Sequence, residues 1–528
     1  MQQLSGSDNL FLFSERNNVF NHVACLNIYD ISTAPGGQVR YKDILKHFEE
    51  RIHLHPIFRR RLGNVPLGLD RPYWIEEGDV DTEFHIRHIA LPKPGDWRQL
   101  MIQVARLHSR PLDRNRPLWE AYVIEGLDNI PKLPAGSFAI FYKFHHASVD
   151  GMAGIMLAEK IHSATPQSDM ANDKMNAMYV ERAPSPIEYM SRAVTNGLGR
   201  VVELGKLSVD MANKLAKLGI EQVTEARGPD TDNQTSKPVS GPAPVTRFNA
   251  ALSPHRVVDG FGMPLSRIKR VRAKVPGASL NDIFLAVSGG GVRKYLDSKG
   301  ELPEESLRAL MPISLRSDAS AGGNAIGAGI VRVRSDIVDP LERLRAAHLE
   351  AQLGKQQAEK LGAETLDKIL SALPSALGNM FVYKVLIPTL NMTVSNVRGP
   401  DKPLYVAGAK AMCFYPISVP TDGQGLNITG VSYNGVMWVS AVSCRTMLPD
   451  PDFFTQCLRE TWEELLAAAD ALPERRPAKP AGAKKSSRKV PAQAPEKAAI
   501  KKTTASVSAA KSPLKKATVA KRKVATDK

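Results

Sequence analysis

Ser137-Phe138-Ala139-Ile140-Phe141-Tyr142-Lys143-Phe144 runs directly into His145-His146-Ala147-Ser148-Val149-Asp150-Gly151, and the reading of this chain turns on that junction. The first eight residues alternate in the manner of a β-strand and are rich in aromatic side chains. Gly151 to Ile161 reads as a short helix. A histidine between a strand and a helix is held rigidly yet still faces a cleft, which suits a general base. His146 is therefore the candidate base. Successive residues of an extended chain point to opposite sides, so His145 is expected to turn away and serve the structure. Asp150 has the side chain to cap the following helix, or to orient the loop by bonding a buried arginine or the backbone. Gly151 permits a backbone conformation or a close approach that a side chain forbids.

The 528 residues are enough for two or three domains. Charge is unevenly placed. Residues 473–528 carry 17 Lys and Arg against 3 Asp and Glu, which leaves 1–472 nearly neutral at 53 basic and 51 acidic residues. This Lys-, Ala- and Pro-rich tail has almost no large apolar side chains to offset chain entropy, so disorder is expected there. Its lysine density suits an anionic membrane or a lipid droplet, with nucleic acid as the rival partner through the tail only. Cys25, Cys413, Cys444 and Cys457 fall in no CxxC arrangement and read as buried free thiols of a reducing compartment. The first residues show no signal-peptide pattern, and no apolar run approaches the ~18–20 residues that cross a bilayer. A cytoplasmic protein is expected, with peripheral membrane contact.

Around the junction, residues 1–165 alternate strand-like and helix-like stretches: a strand at Val23–Tyr29, helices at Tyr41–Leu54 and Trp97–Ser109. Residues 166–246 read as a connection: a polar loop, an amphipathic helical stretch from Ile187 to Val223 with Met190, Val194 and Leu198 on its stripe, then a Gly/Pro-rich linker. Packing on the domains is the first reading of that stripe, and membrane-surface insertion the second. Residues 247–472 form a second set. Arg308–Leu315 and Leu390–Val397 read as strands. Asn434-Gly435 joins two more in a hairpin, and Pro451–Leu472 closes the fold as an amphipathic helix. The layout is two α+β halves of similar size.

Ser279 and Asp282 have the spacing of a capping box, which leaves Asn281 unexplained; an amide there would donate into a cleft between the halves, as an oxyanion donor does. Ser288-Gly289-Gly290-Gly291 lies within a helical pattern, so close packing explains it better than phosphate binding. Neighbouring histidines diverge, and His108 and His162 complete no ligand spacing, so no metal site is expected.

The HHxxxDG pattern resembles the active-site signature of coenzyme-A-dependent acyltransferases and of peptide-synthetase condensation domains. Three further motifs separate the two: Pro111-Leu112-Asp113-Arg114-Asn115-Arg116-Pro117-Leu118-Trp119-Glu120, Ser279 to Asp282, and Ser395-Asn396-Val397-Arg398-Gly399-Pro400. With Leu4-Ser5-Gly6-Ser7-Asp8 and Pro416-Ile417-Ser418, they make residues 1–472 resemble the bacterial wax ester synthase/diacylglycerol acyltransferase family. Arg398 departs from the family's usual proline, which bears on loop shape. The resemblance implies an α+β (α/β sandwich) fold of two chloramphenicol-acetyltransferase-like domains, with a tunnel between them. It implies acyl-CoA as co-substrate, a fatty alcohol or diacylglycerol as acceptor, direct transfer, and no cofactor. His146 matches the catalytic histidine and Asn281 with Asp282 the Asn-Asp motif. Pro117, Leu118, Trp119, Asn396, Gly399 and Pro400 would be architectural. A noncatalytic lipid-droplet scaffold and a condensation-type amide-forming enzyme are the alternatives.

Overall fold

Phe138–His145 is the strand around which the first sheet assembles. In the computed structural model all eight residues are buried, and the strand lies between His22–Asp30 and Trp119–Glu125, antiparallel to both. The structure describes residues 2–149, 151–167, 182–197, 199, 241–314, 326–361, 378–380 and 382–473. Asp150, most of the stripe beyond Gly197 and the basic tail lie outside the described residues.

The alternation of this strand does not mark a solvent face. Lys143 is as buried as its neighbours, because the helix Trp97–His108 covers that side of the sheet. The ammonium reaches Glu120 at 3.0 Å and the carbonyls of Leu107 and Arg110. A buried charge is tolerated when it is paired and hydrogen-bonded in this way.

The sheet is seven-stranded, and three of its strands come from late in the chain. Tyr405–Val406, Ala409–Ala411 and Tyr415–Ile417 build onto it, the last two pairing directly with His22–Asp30. Sheet and chain segment therefore do not coincide. The second sheet has six strands in the order Ile326–Arg332, Arg308–Ser314, Met392–Arg398, Leu426–Tyr433, Val436–Cys444, Arg256–Pro264. Asn434 and Gly435 form its hairpin turn with φ of 49° and 76°, as the Asn-Gly pair requires. The helices Leu280–Ser298, Pro340–Leu361 and Pro451–Asp470 contribute to the largest core cluster, with Phe454, Leu458, Leu465 and Ala469 all buried. A three-stranded sheet of Gln2–Gln3, Tyr73–Glu76 and Arg60–Gly63 completes the set.

The two large sheets belong to one compact unit, Met1–Glu474. The Trp97 indole donates to Asp259 Oδ1 at 2.7 Å, and Val258 and Val442 of the second sheet share a cluster with Leu26, Ile28 and Phe141 of the first. In the connecting segment, residues 186–197 are helical. Tyr189 and Ala193 pack on Val65, Tyr73 and Ile75, while Val194 points outward and Met190 is half-buried. The packed face is thus offset from the stripe read from sequence, because Tyr189 supplies the larger apolar surface. All four cysteines are free; Cys413, Cys444 and Cys457 are buried and Cys25 half-buried. Among the described residues no helix is long and apolar enough to cross a membrane.

The glycine run is explained by packing. A Cβ on Gly289 would fall on the carbonyl oxygen of Val333, and one on Gly291 on the side chain of Leu458. Gly289→Ala is expected to cost about 1–3 kcal/mol of stability, read as a lowered midpoint in chemical denaturation. Three buried histidines make a second expectation. Burial pushes His22 well below its usual range, with Lys143, His145 and His108 adding to the shift. Burial likewise takes His108 to about 3 and His162 to about 4. These rings stay neutral in the fold but protonate in the unfolded chain below pH about 6.5, so stability is present above that pH and lost as pH falls. His108 and His162 each contribute a slope of up to about 1.4 kcal/mol per pH unit between their folded and unfolded values, and His22 adds in the same direction. Thermal midpoints should decline from pH 6.5 towards 4, and less steeply in His108→Gln; an identical slope in that variant would exclude the ring as a source.

Candidate active site

Where the central strand ends, its hydrogen-bond ladder continues for one residue on each side. The His145 N–H donates to Leu118 O at 3.0 Å, and the His146 N–H donates to Asn21 O at 2.8 Å. The backbone then turns through Ala147 and Ser148, and the helix Gly151–Ile161 follows. His146 is thereby fixed by its main chain while its side chain leaves the sheet. The imidazole is half-buried and stacks on Phe11, ring centroids 3.9 Å apart and planes within 10°. Phe11 belongs to the helix Gly6–Phe13, which Ser5 caps by accepting from Asp8 N at 3.0 Å. The Leu4-Ser5-Gly6-Ser7-Asp8 motif therefore starts the helix that holds one face of the His146 ring.

His145 points elsewhere. It is fully buried, its Nε2 lies 3.0 Å from Glu15 Oε1, and its Nδ1 accepts from Ala147 N at 3.0 Å. Accepting at Nδ1 places the ring proton on Nε2. Glu15 also accepts from Asn21 N at 2.7 Å and pairs with Arg114. Burial alone would raise this carboxyl. The hydrogen bond from His145, then Arg114 and the Asn21 amide, hold it below its usual value instead. The Asn21 side chain bonds Phe11 O and Ser14 Oγ, and Arg60 donates to Ser148 O at 3.2 Å while lying over the Trp74 ring. Phe11, Glu15, Asn21 and Arg60 carry no motif of their own and were not legible in the sequence. Arg114 sits inside a quoted motif, yet only the fold shows its partner.

The Pro-Leu-Trp residues support this loop. Leu118 provides the carbonyl for His145 and packs with Leu12 and Ala147. Trp119 is buried, donates to Phe58 O at 3.1 Å and stacks on His85; its N–H bonds Pro117 O. The helix after the loop packs against Met392–Arg398, the strand containing Asn396. The fold thus brings two distant motifs together. Gly399 lies so close to the Ser432 backbone that a Cβ would fall on its carbonyl, and Pro400 is buried beside it. Arg398 forms an exposed ion pair with Asp401 at 2.7 Å.

Asp282 is buried in the capping box with Ser279 and pairs with His348 Nδ1 at 2.8 Å, which makes it structural. Asn281, half-exposed in the first turn of that helix, donates to Met311 Sδ at 3.4 Å. Gly151 opens its helix. Among the described residues no group of three His, Cys, Asp or Glu side chains is placed to hold a metal ion.

The chain matches the wax ester synthase/diacylglycerol acyltransferase catalytic domain over residues 4–284 and the C-terminal domain of that family over 322–466. A putative diacylglycerol O-acyltransferase of Mycobacterium tuberculosis is 35% identical over 469 residues, 88% of this chain and 99% of that one. A second from the same organism, a probable diacylglycerol O-acyltransferase, is 31% identical over 458 residues, 85% and 95% of the two chains. The wax ester synthase/diacylglycerol acyltransferase of Marinobacter aquaeolei VT8 is 26% identical with a TM-score of 0.59, covering 89% of this chain and all of that one. The starter condensation domain of rhizomide synthetase, at 12% identity and TM-score 0.51 over 89% and 95% of the chains, shares the fold. On these matches, the chain is an acyltransferase and belongs to the wax ester synthase/diacylglycerol acyltransferase family.

Proposed function

We propose that this protein moves a long-chain acyl group from acyl-CoA directly to the hydroxyl of a fatty alcohol or a diacylglycerol, with His146 as general base. The observation that carries this reading is the half-exposed imidazole at the end of the central strand, pinned through its own N–H and stacked on Phe11. Nδ1 of that ring is enclosed, so Nε2 is the nitrogen assigned to the acceptor. Nε2 takes the hydroxyl proton as the oxygen bonds to the thioester carbonyl carbon. The carbon–sulfur bond then breaks, the ester is formed, and the imidazolium returns the proton to the CoA thiolate. No acyl-enzyme and no resident cofactor are invoked.

Asn281 is assigned to the developing oxyanion. Its amide now donates to a thioether, a weak acceptor, so turning to a negatively charged oxygen costs little. Both acceptor classes are retained because the Mycobacterium relatives are named for diacylglycerol and the Marinobacter protein for both products. A tunnel between the halves would bring acyl-CoA and acceptor to His146 from opposite sides.

A thiol-release assay with palmitoyl-CoA and hexadecanol, repeated with a diacylglycerol, tests the reading. Wild-type protein should release CoA in proportion to ester formed. His146→Ala should lose roughly 10²–10⁴-fold in kcat with an unchanged circular-dichroism spectrum; robust turnover in that variant would remove the mechanism. The basic tail is assigned to peripheral contact with anionic lipid. Removing 473–528 should reduce co-sedimentation with phosphatidylserine-containing vesicles and leave turnover of dispersed substrates intact. Unchanged partitioning would refute that role.

A further inference from the structure

Three residues in succession, 145 to 147, are each tied down by a hydrogen bond, and two of the three ties lead to one carboxylate oxygen. Oε1 of Glu15 accepts from the Asn21 N–H at 2.7 Å, and the Asn21 carbonyl in turn holds the His146 N–H at 2.8 Å. The same oxygen faces His145 Nε2 at 3.0 Å, and the Nδ1 of that ring holds the Ala147 N–H at 3.0 Å. The peptide groups on both sides of the His146 Cα are thus connected to Glu15 by separate routes. The other oxygen, Oε2, is taken by Arg114, which also donates to Leu12 O, one residue along from Phe11. The Asn21 side chain bonds Phe11 O itself.

We propose that Glu15 is the positioning residue of this acyl transfer: its ionised carboxylate sets the orientation of the His146 imidazole through Asn21 and His145, without touching substrate. The inference rests on His146 being the base. The chemistry favours a carboxylate at this point over any other side chain. Charge-assisted acceptors bind N–H donors roughly twice as strongly as neutral ones, and here one group must satisfy an arginine, an imidazole and a peptide N–H at once. The side chain is 9% exposed, so water does not substitute for it. The carboxylate also sets the His145 tautomer. An Nε2–H directed at Glu15 leaves Nδ1 bare to accept from Ala147, and a ring with its proton on Nδ1 would lose both bonds. A glutamine keeps one acceptor oxygen: with it at the Oε1 position the NH₂ group meets the Arg114 guanidinium, and turned over it loses both routes to His146. A misplacement on the order of 1 Å at a reacting group costs about 10²-fold in rate.

Glu15→Gln, Glu15→Asp and His145→Ala, with the double variant Glu15→Gln/His145→Ala, test this in the palmitoyl-CoA and hexadecanol assay. Glu15→Gln should lower kcat by about 10²-fold while KM for either substrate stays within about threefold of wild type, because the binding surfaces are untouched. Glu15→Asp keeps the charge and should recover an intermediate kcat. The double variant should lose less than the product of the two single losses, since both act along one route. Wild-type kcat in Glu15→Gln, or a loss no larger than the unfolded fraction measured by thermal melting, would overturn the proposal. Should Glu15→Gln fail to fold, the same kcat and KM readings on Glu15→Asp decide it, with unaltered kcat as the overturning result. Failure of His146 as the base is seen separately, in active His146→Ala.

Discussion

The antiparallel register that sets His22 opposite His145 is the constraint on which this structure depends. Carried one step beyond the strand, it sets Asn21 opposite His146 and supplies the carbonyl that holds the His146 N–H. On the other edge, the pairing of Trp119 with Phe144 sets Leu118 opposite His145. A slip of one residue in either ladder would turn every side chain of the strand to the wrong face. His146 would then enter the sheet and Lys143 would face the opposite side, away from Glu120. Placing the His146 ring at the end of a doubly paired central strand lends it the rigidity of the whole sheet.

That placement has a consequence in polar groups taken out of water. Lys143, Glu120, His22, His108 and His145 lie close together beneath the loop, and the fold meets the cost in different ways. Lys143 and Glu120 neutralise each other, and Tyr122 donates to Glu120 as well. His108 directs Nε2 at the carbonyl of His22. His22 and His108 are kept uncharged, which removes the desolvation cost of a cation and transfers it to acid sensitivity. Glu15, like the Lys143–Glu120 pair, stays charged, because three donors converge on it.

Distant motifs meet for reasons of packing. Ile155, Leu157 and Ala158 of the helix after His146 share a core with Leu404, Val406 and Phe414, which come from the far end of the chain. Strands from 405–417 complete the first sheet, so that sheet does not reach its full width from one half alone, whereas the second is built wholly from residues 256–444. Trp97 and Asp259 add a direct bond between the halves. Any cleft holding both Asn281 and His146 would depend on this interlocking.

Much of the local structure was legible in the residues. The helix Tyr41–Glu49, the Asn434-Gly435 hairpin, the Ser279 capping box and the closing helix all follow from short-range rules: periodicity, turn chemistry and caps. The strand–loop–helix around His146 was legible for the same reason, and its family signature with it. What the linear chain could not show is which residues stand across from it. Phe11, Glu15, Asn21 and Arg114 reach the site through pairings over about a hundred residues or more, and side chains that act by converging leave no periodic trace. The burial of Lys143 escaped detection likewise, since alternation reports the pleat of a strand and not what covers each face. Sequence by itself determined the kind of elements and singled out His146 as the candidate base. Tertiary structure alone decided what holds that imidazole, because hydrogen bonds to a buried carboxylate exist only once the sheet has brought its donors together.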